Sequence, residues 1–236
     1  MTSPRPSPNR AILERVAREL APLLDRLVFV GGQVAELLIT EPGAARVRAT
    51  DDVDVIVAVT TRTAYHKLGE ELRARGFVED MRPEAPLCRW RSRQGLALDV
   101  MPIEESILGF SNPWYPAAIE SAVPFALAPG LAIRIPPAPV FLATKWAAFD
   151  GRGGGDLLGS HDIEDIVAVV AGRPELTSEL ERVDRKLRRW LAERTRRFLE
   201  QPSASDAIGG ALPDARLNPA LISRAQNRLE QIAAYR

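Results

Sequence analysis

The chain has 236 residues, of which 46% are hydrophobic and 26% charged, which suits one large globular domain or two small ones. Its formal net charge is zero, so no global basic field points to nucleic acid, and no apolar run reaches the ~20 residues that a membrane span needs. The single cysteine, Cys88, excludes an intramolecular disulfide and reads as a small buried hydrophobe, compatible with a cytoplasmic protein.

The Pro- and Ser-rich start, residues 1–10, has no apolar core of the kind found in signal peptides and is read as a disordered lead-in. Helical spacing of Ile12, Val16, Leu20, Leu23 and Leu27 predicts a helix over 11–26, with a kink or division at Pro22. Leu27 to Val30 reads as a short buried strand. It runs into Gly31-Gly32 and then a helix opening at Gln33. Glycine tolerates positive φ and lets backbone approach a ligand, and a helix start offers unpaired N–H groups to phosphate. A tight turn is the plainer reading of a Gly-Gly pair.

After a polar loop over 41–51 comes Thr50-Asp51-Asp52-Val53-Asp54-Val55-Ile56-Val57, an apolar strand headed by carboxylates. Alternate strand side chains share a face, so Asp52 and Asp54 point one way and Val53 and Val55 the other. Aspartate is depleted in strands. A divalent cation is one reason to place two there, and a solvated strand end is the alternative. A helix over 62–75, capped by Thr60 or Thr61 and closed by Gly76, precedes a short strand at 77–79. Leu87 to Arg93 and Leu96 to Met101 read as an antiparallel hairpin joined at Gln94-Gly95, with Asp99 a third strand carboxylate. A second hairpin is expected across Pro129-Gly130, and Pro136-Pro137 marks a boundary.

The remainder reads as helical. Lys145 is one of only three lysines and sits in an apolar helix, where it is either a phosphate ligand or a snorkelling surface residue. A Gly-rich stretch over 150–160 follows no strand and reads as a connection. Asp162 and Asp165 lie in the first turns of the next helix, where acidic residues also simply complement the dipole. Residues 177–200 read as one long basic helix, residues 201–215 as a loop and 217–234 as a last helix.

The order of strand, Gly31-Gly32, helix, Asp52-x-Asp54 and a later strand Asp99 resembles the nucleotidyltransferase superfamily related to DNA polymerase beta. It is most similar to the AbiE-type toxin nucleotidyltransferases and comparable small bacterial members. Their Arg-x-Thr-x-Asp-x-Asp pattern is echoed by Arg48, Thr50, Asp52 and Asp54, and their later lysine and aspartate by Lys145 and Asp162. The resemblance covers residues 27–170. In it the second glycine is usually followed by Ser or Thr, where this chain has Gln33.

The fold this implies is α/β (α+β): a nucleotidyltransferase core over 11–136 with a small mixed sheet flanked by helices, followed by a C-terminal helical domain over 137–236. The implied activity is transfer of an NMP from an NTP, such as ATP, to an acceptor hydroxyl. The acceptor expected is RNA, tRNA above all, within a toxin-antitoxin system that supplies a cognate antitoxin protein. An antibiotic nucleotidyltransferase of the aminoglycoside type and an inactive nucleotide-binding relative stay open. Two Mg2+ ions, or Mn2+, would be held by Asp52, Asp54 and Asp99, with Lys145 and Asp162 completing the catalytic set. Gly31, Gly32, Gln33, Arg48, Thr50 and Lys145 would contact the nucleotide.

Overall fold

A computed structural model describes residues 7–41, 47–152, 155–216 and 218–236. The described residues of Met1–Gln33 and Ala49–Pro136 form one compact unit, and those of Val34–Arg48 and Pro137–Arg236 form a second.

The first unit opens with helix α1, Pro8–Glu19. It starts inside the stretch expected to be a disordered lead-in, because Ser7 accepts a hydrogen bond from Arg10 N and Pro8 suits a first helical position. Residues 1–6 lie outside the described residues. The kink expected at Pro22 is a change of helix type: a 3-10 segment, Ala21–Arg26, leads to strand β1, Leu27–Val30. Helix α2, Gly32–Leu38, follows, then β2, Asp52–Val57. Helix α3, Arg62–Ala74, is capped by Thr61 and precedes β3, Val78–Glu79. The hairpin expected next is β4, Arg89–Arg91, and β5, Ala97–Pro102. Short helices α4, Glu105–Leu108, and α5, Tyr115–Ser121, come before β6, Val123–Ala128, and β7, Leu131–Ile135.

The main sheet has the order β1-β2-β5-β4-β3 and is mixed, since β2 and β5 run parallel while the other neighbours run antiparallel. Its register sorts the two faces. Val53, Leu98 and Trp90 stand in one row across β2, β5 and β4, all buried. Helix α3 covers this apolar face through Leu68, Gly69 and Leu72, and Gly69 leaves room for the Trp90 ring, which an added Cβ would approach to 3.1 Å. Asp54, Asp99 and Arg89 stand in the adjacent row and so point to the opposite face. The separate β6–β7 ribbon packs beside β1 and α1.

The second unit is helical. Helices α6, Ala138–Gly151, and α7, His161–Gly172, are buried on nearly all sides and pack together as its centre. The single basic helix expected over 177–200 is two helices, α8, Leu176–Arg182, and α9, Arg185–Leu199. The break falls where Val183 is extended and the Asp184 side chain accepts from Lys186 N, starting a new helix. The loop expected over 201–215 contains α10, Ala204–Gly210, and a 3-10 turn, Pro213–Arg216, before α11, Ala220–Ala233. Several basic side chains of α9 are engaged. Arg194 is ion-paired with Asp150 and stacked 4.4 Å from the Trp146 ring, while Arg196 and Arg197 both reach Glu193. Among the described residues no helix is long and apolar enough to cross a membrane.

Candidate active site

The acidic face of the main sheet gathers the three carboxylates picked out by the alternation of β2 and β5. Asp54 and Asp99 are direct neighbours across the parallel pair, and Asp52 lies two residues earlier on the same face. A buried polar network fixes the head of β2. Thr50 N donates to Asn9 Oδ1, Gln33 Nε2 donates to the Thr50 carbonyl, and Thr50 Oγ1 donates to Asp52 Oδ1 at 2.6 Å. Gln33, placed where the resemblance expects a hydroxyl for phosphate, is 1% exposed and braces this strand instead.

Gly31 has φ 79, a conformation that suits glycine, and a Cβ added there would overlap the Asp54 carboxylate. The glycine is therefore required twice, by its own backbone and by the side chain seated against it. Gly32 begins α2.

The residue that sequence reasoning missed is Arg89. Its Nε and Nη2 donate to the two oxygens of Asp99, each at 2.8 Å, and Nη2 also donates to Asp52 Oδ2 at 2.8 Å. This is a bidentate, charge-assisted clasp with a third arm. Burial pushes the Asp52 carboxyl up, but the Thr50 hydroxyl and the Arg89 guanidinium outweigh it and hold Asp52 below the usual carboxylate range. The bond to Asp99 raises the Arg89 guanidinium further above its ordinary value, against its own desolvation. Beside it, burial and then the carboxylates of Asp99 and Asp54 push the Cys88 thiol up to about 12, so Cys88 is no thiolate nucleophile near neutral pH.

Arg89 was hidden by hairpin register. A two-residue turn at Gln94-Gly95 sets Arg93 opposite Leu96 and therefore Arg89 opposite Val100, on the apolar face. The observed connection has three residues, with Ser92 bonded to Leu96 and Gly95 at φ 80, and it sets Arg89 opposite Asp99. One residue of slip moves the guanidinium from core to site. Glycine at the third position of such a loop is the signal that could have found it.

The donor chemistry of Asp52 and Asp54 fits a hard divalent cation such as Mg2+, with carboxylate oxygens sharing one face. Asp99 does not fit as ligand to a second ion, because the Arg89 guanidinium covers both its oxygens, whereas at Asp52 it covers Oδ2 alone and Oδ1 accepts from the neutral Thr50 hydroxyl. Among the described residues no group of three or more His, Cys, Asp or Glu side chains is arranged to hold a metal ion.

Lys145 and Asp162 lie in the second unit. Lys145 Nζ is 3.3 Å from Asp162 Oδ1 and 2.6 Å from Asp165 Oδ2, and Arg152 pairs with the other oxygen of Asp162. Asp165 is 1% exposed and its contact with Lys145 is close but misaligned for a hydrogen bond. Arg48, from the predicted nucleotide set, is also in this unit, with Nε 3.5 Å from Glu164 Oε2. His161 is exposed and meets Glu164 at 3.1 Å. Arg46, which the same loop carries, lies outside the described residues. In the first unit a cavity of about 300 Å³ lies on the α3 side of the sheet, opposite the carboxylates. Its arginines are engaged, Arg62 with the Ser106 carbonyl and Arg73 with Glu79.

No protein-family profile and no curated protein matches the sequence. Among solved structures, an antigenic nucleotidyltransferase-like protein from Paracoccidioides brasiliensis is similar at 20% identity and a TM-score of 0.47, over 88% of this chain and 95% of that one. JHP933 from Helicobacter pylori is similar at 12% identity and 0.46, over 95% and 90% of the two chains. A putative nucleotidyltransferase from H. pylori is similar at 13% and 0.48, over 95% and 93%. Nothing about activity transfers from likenesses at this level.

Proposed function

We propose that the chain is a nucleotidyltransferase that moves an NMP from an NTP to an acceptor hydroxyl. The observation that carries the reading is the acidic face itself: Asp52, Asp54 and Asp99 on adjacent parallel strands, pointing one way, beside a glycine that Asp54 requires. The acceptor hydroxyl gives up its proton to solvent as its oxygen forms a bond to the α-phosphorus, the bond to the bridging oxygen breaks, and pyrophosphate leaves with that electron pair. A Mg2+ ion held by Asp52 and Asp54 would supply positive charge to the phosphoryl oxygens.

The protein's own part is to keep the ligands ready. Thr50 orients Asp52, with Asn9 and Gln33 holding Thr50 from behind. Gly31 gives Asp54 its seat, and Arg89 fixes Asp99 and shares Asp52. Gly31 and Gly32 are the first unit's proposed phosphate contacts, and Arg48 and Lys145 are the proposed nucleotide contacts of the second unit, where Asp162 and Asp165 hold the Lys145 ammonium. RNA is the proposed acceptor, and a toxin-antitoxin setting the proposed context. Both rest on the sequence resemblance.

Incubation with Mg2+, each labelled NTP in turn and total tRNA, with Asp52→Ala in parallel, tests the reading. Label on RNA from the native chain and none from the variant is the expected result. Equal labelling by both proteins would defeat the site assignment. A second reading, a nucleotide-binding relative that no longer transfers, draws on the Gln33 brace and the Arg89 clasp. It predicts NTP binding with no label on any acceptor.

A further inference from the structure

The resemblance implies two ions on three carboxylates, and the clasp of Arg89 disagrees with the second. We infer that Arg89 is a built-in cation standing in for the ion that Asp99 would otherwise share, so that the native chain holds a single divalent ion, on Asp52 and Asp54. This inference rests on the nucleotidyltransferase reading.

Three observations support it. The guanidinium bonds to both oxygens of Asp99 and to Oδ2 of Asp52, each at 2.8 Å, and so sets its positive charge between these two carboxylates. Strand register, and not a chance rotamer, puts it there, since Arg89 and Asp99 are direct partners across β4 and β5. Its side chain is 19% exposed and that of Asp99 9%, so the clasp is shielded from the solvent that would loosen a surface pair. A delocalised, always-protonated group with a planar fork suits a permanent role of this kind, where a lysine would supply only a point charge. Arg89 acts on the carboxylates and is a positioning residue.

The test counts ions directly. Mn2+ alone is titrated into the full chain and free ion is followed by electron paramagnetic resonance, with thermal melts confirming that each variant is folded. The native chain should bind one ion and Arg89→Gln two, and the double variant Arg89→Gln with Asp99→Asn should return to one. Asp99→Asn by itself should leave the count unchanged. This last measurement keeps the test decisive even if Arg89→Gln fails to fold. Two ions on the native chain, one of them lost in Asp99→Asn, would overturn the inference and leave the transferase reading standing. No bound ion on any of the four proteins would defeat that reading, and the inference with it.

Discussion

Two regions of this molecule use the same charge pattern, one cation between two carboxylates, under different exposure. In the first unit Arg89 joins Asp52 and Asp99, with Asp52 35% exposed at its side chain. In the second unit Lys145 joins Asp162 and Asp165, whose side chains are 3% and 1% exposed, and Arg152 supplies a further positive charge. Asp52, partly open to solvent, exchanges one partner for another at lower cost than Asp99, whose side chain is 9% exposed and stays in its clasp. A fully buried carboxylate does not exchange in this way, because removing its partner leaves an uncompensated charge in a low dielectric. The contrast separates a face that keeps one carboxylate open to solvent from a cluster that holds α6 and α7 together.

The sharpest way to break the comparison is through activity and stability together. Asp54→Ala should lower transfer by roughly a thousandfold, the several kcal/mol of charge stabilisation that a lost metal ligand removes. Its melting temperature should change little. Lys145→Ala should do the reverse of this at the level of folding, costing about 3–5 kcal/mol in urea unfolding because buried Asp165 loses its ammonium partner. If Lys145→Ala unfolds at the native denaturant midpoint, the distinction between the two regions fails.

Smaller effects sharpen it. Gly31→Ala should cost about 1–2 kcal/mol from the left-handed backbone by itself, and it should also displace Asp54 and silence transfer. Acid should weaken the first region gradually. The Asp52 carboxyl titrates lower in the folded chain than its ordinary 3.8, so its contribution is present above about pH 4 and lost as pH falls through the depressed folded value. Arg89→Gln should reduce that dependence in an acid-unfolding series and leave the part set by the Thr50 hydroxyl. An unchanged acid limb would show that Thr50, and not Arg89, sets the Asp52 charge.

Much of the first region was legible because strand alternation is a strict period of two. Asp52 and Asp54 opposite Val53 and Val55, and Asp99 opposite Leu98 and Val100, followed from counting alone. What counting does not supply is how one strand sits against the next. Arg89 entered the site through a three-residue turn ending at Gly95, and a local sequence offers two turn lengths there with opposite consequences. Gln33 was misplaced for a related reason. Its position in the chain suggested a ligand contact, while its hydrogen bond to the Thr50 carbonyl spans seventeen residues and belongs to tertiary structure. In the helical unit the apolar run of α6 was plain. The break at Asp184 was masked by a charge pattern that continued across it, although an Asp with an amide to accept from is a ready helix start.

The most direct measurement is pyrophosphate release by the full chain, supplied with Mg2+, an NTP and tRNA, comparing the native protein with Asp54→Asn. This substitution keeps the size of the side chain and its seat against Gly31 and removes only the charge. Release by the native chain and none by Asp54→Asn is the predicted result. Equal release from both proteins would contradict the claim that the acidic face of the sheet is the centre of nucleotidyl transfer.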